Sequence, residues 1–226
     1  MSYFNTLLFG IYPYIALAVF VVGSMLRYDR EQYTWKTGSS QLLDSKGIKR
    51  GSVAFHVGII AVLAGHFVGL LTPHQVWNIL GVTLPVKQLV AMGAGGLFGT
   101  ICLYGLVILV NRRLNNPRVR ATSTNMDIVI LLLILAQLCL GLISILFSMQ
   151  HLDGQEMLKM MLWAQGIVTF NGFHAAQHLA DVGLIYKLHI SLGMTLFLLF
   201  PFSRLVHIWS VPVKYVRRNY QVVRSK

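Results

Sequence analysis

Tyr3 to Leu26, Gly51 to Leu71, Gln88 to Asn111 and Ile128 to Gln150 contain no Asp, Glu, Lys or Arg. Each exceeds the roughly 18 mainly apolar residues that mark a membrane-spanning helix. Lipid offers the backbone no hydrogen-bond partners, so segments of this kind are built as helices that satisfy their own polar groups. Val182 to Trp209 reads as a fifth span, with Lys187 and Arg204 near its ends, where long side chains snorkel to the headgroups. Only 12% of the side chains are charged, about half the share of a soluble domain. The expected architecture is an all-α integral membrane protein. Its spans run over about 3–27, 51–71, 87–111, 127–149 and 182–209 of one domain, residues 1–226.

The first apolar stretch is too long for a signal-peptide core, lacks a basic leader and is interrupted by Pro13, so it is expected to stay in the mature protein. Cys102 and Cys139 both fall mid-span and read as small apolar side chains, and no CxxCH is present for covalent haem attachment.

A net charge of +12 would suit nucleic acid, but the distribution of the basic residues suits a membrane instead. Arg27, Arg30, Lys36, Lys46, Lys49 and Arg50 follow span 1, and Arg112, Arg113, Arg118 and Arg120 follow span 3. Lys214, Arg217, Arg218, Arg224 and Lys226 follow span 5. The alternate loops hold Lys87, Lys159 and Lys187. Under the positive-inside rule this pattern puts the amino terminus outside, in the periplasm, and the carboxyl terminus in the cytoplasm. Met160 to Ala180 is also uncharged, but a sixth crossing there would carry the basic tail outside, so it reads as an outer-face interfacial or re-entrant helix.

His56 and His66 lie in span 2, and His189 and His207 in span 5. An imidazole buried in lipid needs a partner, and any single one would serve as an interhelical hydrogen bonder. Two on each of two antiparallel spans make a more specific pattern. His56 and His207 fall toward the cytoplasm, and His66 and His189 toward the outside. Haem iron takes an axial histidine on each face, supplied by facing helices, so the pattern fits two stacked b haems between spans 2 and 5. The ladder is strained: 10 residues separate the span-2 pair and 18 the span-5 pair, rises of about 15 and 27 Å. A kink at Pro201 would absorb part of the mismatch. Gly58, Gly65, Gly69 and Gly193 leave room near a porphyrin, although Gly65/Gly69 and Gly95/Gly99 also have the GxxxG spacing of close helix packing.

His74, His151, His174 and His178 lie in outer segments where water would satisfy them, and the i, i+4 pair His174/His178 has no evident third metal ligand. Lys87 has two readings: an interfacial anchor, or an ammonium that hydrogen-bonds a quinol oxygen beside the outer haem and stabilises the anion as protons leave. Arg112, Arg113, Arg118, Arg120 and Arg204 are candidates for pairing with inner-haem propionates, and the positive-inside rule accounts for most of them as well.

The stretches IYPYIA, SMLRYDREQYTWKTGSSQLLD, PRVRATS and GMTLFLLFPFSRLVHIWSVPVKY resemble the gamma subunit family of bacterial membrane-bound respiratory nitrate reductase, the cytochrome b subunit, over nearly the whole chain. The resemblance implies a proximal haem on His56 and His207 and a distal haem on His66 and His189. It also implies oxidation of ubiquinol or menaquinol near the distal haem with Lys87 involved. Electrons would then pass to an iron-sulfur beta subunit and a nitrate-reducing, molybdenum-containing alpha subunit at the bacterial inner membrane. The competing readings are the same cytochrome in a sulfite- or heterodisulfide-type reductase complex, and a haemless anchor or transporter.

Overall fold

A computed structural model describes residues 3–36, Gly38, Ser40, Leu43 and 47–210. Lys46 and the basic residues from Lys214 onward, used above for orientation, lie outside the described residues. The chain forms helix α1 (Tyr3–Arg30), α2 (Ile48–Leu71), the short α3 (His74–Ile79), α4 (Leu84–Asn115) and the short α5 (Pro117–Ala121). It continues through α6 (Asn125–Ser148), α7 (Gln155–Val168), α8 (Gly172–His178) and α9 (Leu184–Leu199). Two 3₁₀ turns follow, Phe200–Phe202 and Arg204–Ser210. Among the described residues, five helices are long and apolar enough to cross a membrane: α1, α2, α4, α6 and the segment Leu184–Phe202. They bear out the five expected spans.

Local chemistry sets several boundaries. Asn116 precedes Pro117 and is extended (φ −89°, ψ 114°), which ends α4 because proline crowds a helical predecessor. Thr124 and Asp127 form a reciprocal capping box that starts α6. In α1, Pro13 has no N–H for the Phe9 carbonyl four residues back. The Trp163 indole donates to that carbonyl at 2.9 Å, just where the helix widens into a π turn over Leu7–Ile11.

The spans pack in the order α2, α4, α6, α9, α1, each against the next. The α2/α4 contact is the closest. A Cβ on Gly58 would sit 2.6 Å from the Cys102 nitrogen and the Phe98 carbonyl oxygen, and one on Gly105 would meet the Phe55 backbone. Gly58 therefore serves helix packing, not the histidine side of α2 as expected. Gly99 faces Leu142 of α6, as its GxxxG spacing anticipates. Gly65 and Gly69 face nothing within 4 Å. That pair leaves open space instead of packing a helix.

The segment that competed for a sixth span folds back as α7 and α8, of 14 and 7 residues, turning at Phe170 (φ 60°). Neither helix is long enough to cross. Phe9, Trp163, Ala164, Ile167, Ala175, Ala176 and Leu179 make a buried cluster that seals this hairpin onto α1. Gln165 Nε2 donates to the Leu70 carbonyl at 3.0 Å and ties the hairpin to the end of α2.

The fifth span departs from expectation. It is no single kinked helix over 182–209, because α9 stops at Leu199 and Ser203 is extended (φ −120°, ψ 177°). Pro201 supplies no donor to continue the helix. Arg27 of α1 serves the break, donating through Nη1 to the Pro201 carbonyl at 2.7 Å and the Ser203 carbonyl at 2.8 Å. Arg204 does not snorkel: its Nε donates to Asp127 Oδ1 at 2.8 Å.

Candidate functional site

The fifth span breaks between its two histidines, so His207 is presented by a 3₁₀ turn and not by α9. The rings of His56 and His207 have centroids 6.4 Å apart, and those of His66 and His189 are 6.1 Å apart. These are the pairs that antiparallel spans require. Helices α2 and α9 are not neighbours in the packing order, so His66 and His189 meet from helices that do not pack side by side. With metal–imidazole bonds of about 2 Å and ring nitrogens roughly 1 Å from their centroids, two imidazoles on one iron have centroids about 6 Å apart. Both pairs fit that separation, and the open faces of Gly65 and Gly69 fit a flat macrocycle beside His66.

Backbone carbonyls orient three of the four rings. His56 Nδ1 lies 2.7 Å from the Ser52 carbonyl, His66 Nδ1 2.8 Å from that of Val62, and His207 Nδ1 2.6 Å from that of Arg204. A carbonyl only accepts, so each Nδ1 carries the proton and each Nε2 keeps the lone pair that a metal needs. His189 is the exception: its Nδ1 is buried without a partner.

A cavity of about 340 Å³ adjoins the first pair, lined by His56, His207, Arg112, Arg113, Arg204 and Asp127 among others. The expected anchors Arg112 and Arg204 are thus brought together, with Arg113 beside them. Arg112 also donates to the Ser40 hydroxyl and, at 2.8 Å, to the Ser40 carbonyl. Asp127 is the carboxylate of this basic cluster, 2.8 Å from Arg204 and 3.8 Å from Arg113.

At the opposite end Lys87 is only 6% exposed, so the interfacial-anchor reading gives way to an inward-turned ammonium. Its Nζ donates to the Gly69 carbonyl at 2.8 Å and to Met161 Sδ at 2.9 Å, and lies 4.6 Å from the centre of the Trp77 ring. Gly69 is one turn beyond His66 on α2, so one residue touches both the ammonium and the open face. His74 Nδ1 and Trp77 Nε1 are both buried without a partner. His174 and His178 stack edge to face 5.2 Å apart, and no cluster of three or more His, Cys, Asp or Glu occurs among the described residues. Burial, then the neighbouring His174, holds the His178 pKa below its ordinary value.

Sequence reasoning missed Arg27, Asp127, Trp77 and Met161. Asp127 carried a signal, as the lone carboxylate at the start of span 4 and three residues after Thr124. The others become visible only once distant helices meet.

The family model described as nitrate reductase gamma subunit matches residues 5–226. The chain is 56% identical over 226 residues to the respiratory nitrate reductase 1 gamma chain of Escherichia coli (strain K12), covering 100% of both. It is 50% identical to the respiratory nitrate reductase 2 gamma chain of the same organism, over 100% of this chain and 99% of that one. It is 38% identical to the nitrate reductase gamma chain of Bacillus subtilis (strain 168), over 97% of this chain and 98% of the other.

Proposed function

The chain belongs to the nitrate reductase gamma subunit family, and on that premise we propose that it is the complex's di-haem cytochrome b, oxidising quinol and feeding its electrons to nitrate reduction. The observation that carries the reading is the meeting of four histidines as two pairs, at centroid separations of 6.4 and 6.1 Å, at opposite ends of the bundle. Bound there, two b haems would supply one-electron carriage from quinol at the His66/His189 end to an iron-sulfur beta subunit at the His56/His207 end, and on to a molybdenum-containing alpha subunit.

The chain's own residues set the direction of this path. Arg27, Arg30, Lys49 and Arg50 and the Arg112–Arg120 group cluster at the end that holds His56 and His207, which under the positive-inside rule faces the cytoplasm of a bacterial inner membrane. Lys87, at the periplasmic end, would bind a quinol oxygen of ubiquinol or menaquinol and stabilise its negative charge as two protons leave outward. Arg112 and Arg204 would pair with propionates of the inner group and hold its orientation. Each electron carried fully inward works against about 2.3 kcal/mol per 100 mV of membrane potential, so the acceptor end must have the higher potential.

A reduced-minus-oxidised optical spectrum of the purified complex, with pyridine haemochrome stoichiometry, tests the reading. Two b haems per chain are expected. A complex with no b-type band, or one that turns over quinol normally without such a band, would overturn it.

A further inference from the structure

His189 is the one histidine of the four whose ring lacks a backbone carbonyl, and a side chain stands in its place. Gln137 of α6 lies 3.4 Å from it, measured between Gln137 Nε2 and His189 Nε2. Two nitrogens at that distance leave both residues unfinished: His189 Nδ1 and Gln137 Oε1 are each buried with no partner. The oxygen and nitrogen of a carboxamide exchange places by rotating the amide. With the amide turned, Gln137 Oε1 lies against His189 Nε2, which then carries the ring proton, and the buried Nδ1 keeps a lone pair.

The slot around the two groups is fitted from both sides. Gly141 lies one turn beyond Gln137 on α6, and a Cβ there would sit 3.0 Å from His189 Cε1. Gly193 lies one turn beyond His189 on α9, and a Cβ there would sit 3.2 Å from Gln137 Nε2. Each helix thus gives up a side chain where the other inserts its polar one. Gln137 is also the only amide side chain between Asn125 and Gln150, where an unpaired amide is costly.

We infer that Gln137 is the positioning residue of the outer haem ligand: through its oxygen it accepts from the Nε2–H of the His189 ring and leaves Nδ1, which has no protein partner, for iron. The inference rests on the di-haem reading above. An acceptor on the N–H makes the imidazole a stronger electron donor and favours ferric iron. The outer group therefore has a ligand tuned by a replaceable side chain, whereas the other three rings are held by the main chain.

The test is an optical redox titration of the complete complex carrying Gln137→Leu or Gln137→Glu, with haem counted per chain. In the Leu variant the haem on His66 and His189 is expected to titrate at a higher potential than in the native protein. The haem on His56 and His207 should be unchanged. The Glu variant keeps an acceptor and should hold its outer haem at or below the native potential. Loss of the outer haem in the Leu variant with retention in the Glu variant also supports the assignment. An unshifted outer potential in a fully loaded Leu variant overturns it, as does loss of the haem from both. If the native complex shows no second b haem, the di-haem reading itself fails, an outcome visible before any variant is made.

Discussion

The Lys87 ammonium and the Gly69 carbonyl are joined by a 2.8 Å hydrogen bond between α4 and α2, one helical turn from the His66 ring. A cation is thereby held at low exposure beside the open face of a histidine pair. Replacing Lys87 with Met keeps the length and removes the charge. Quinol-dependent nitrate reduction is expected to fall by about 100-fold, the scale of losing a donor aimed at developing negative charge. Haem content should be unchanged. Normal quinol turnover in the Met variant would remove Lys87 from the mechanism.

His66→Ala should leave one haem per chain, because His189 alone cannot complete a two-ligand site, and His207→Ala should remove the other haem instead. Pyridine haemochrome stoichiometry with low-temperature spectra distinguishes the two. If both variants lose the same component, the pairing is wrong.

The α2/α4 seam separates two kinds of glycine. Gly58→Ala drives a Cβ into backbone atoms of α4, so neither side can relax, and thermal stability in detergent should drop by about 1–3 kcal/mol. Gly99→Ala meets only the tip of Leu142, a side chain able to move, and should cost less. Leu142→Ala should restore Gly99→Ala and do nothing for Gly58→Ala.

Asp127 caps α6 and holds Arg204 at the same time. Asp127→Asn keeps the cap acceptor but removes the charge, leaving Arg204 and Arg113 to repel each other beside the cavity. A loss of about 2 kcal/mol is expected, read from a thermal melt. Arg204→Gln should produce a similar loss, and the double variant less than their sum.

The His178 ring favours the neutral form, through burial and then through His174. The unfolded chain takes up a proton at higher pH than the folded one, so the stability His178 provides is complete above its unfolded pKa of about 6.5 and is lost as pH falls through the lower folded value. Amide exchange across Gly172–His178, corrected for intrinsic rate, should show protection decreasing below about pH 6.5. His178→Phe should flatten that dependence.

The sequence alone determined the five spans, the non-crossing segment before span 5 and the identity of the histidine pairs. Length, hydropathy and chain direction suffice for these, because lipid forces each apolar run to satisfy its own backbone. It did not reveal how pairs spaced 10 and 18 residues apart could face each other. Tertiary structure decided that by ending α9 at Leu199 and placing His207 on a separate 3₁₀ segment beyond a break that Arg27 clamps. It likewise decided that Gly58 packs a helix while Gly65 faces open space, and that Gln137 meets His189. These outcomes depend on which residues of distant helices come into contact, and a buried polar group finds its partner through that contact, not through its position in the chain.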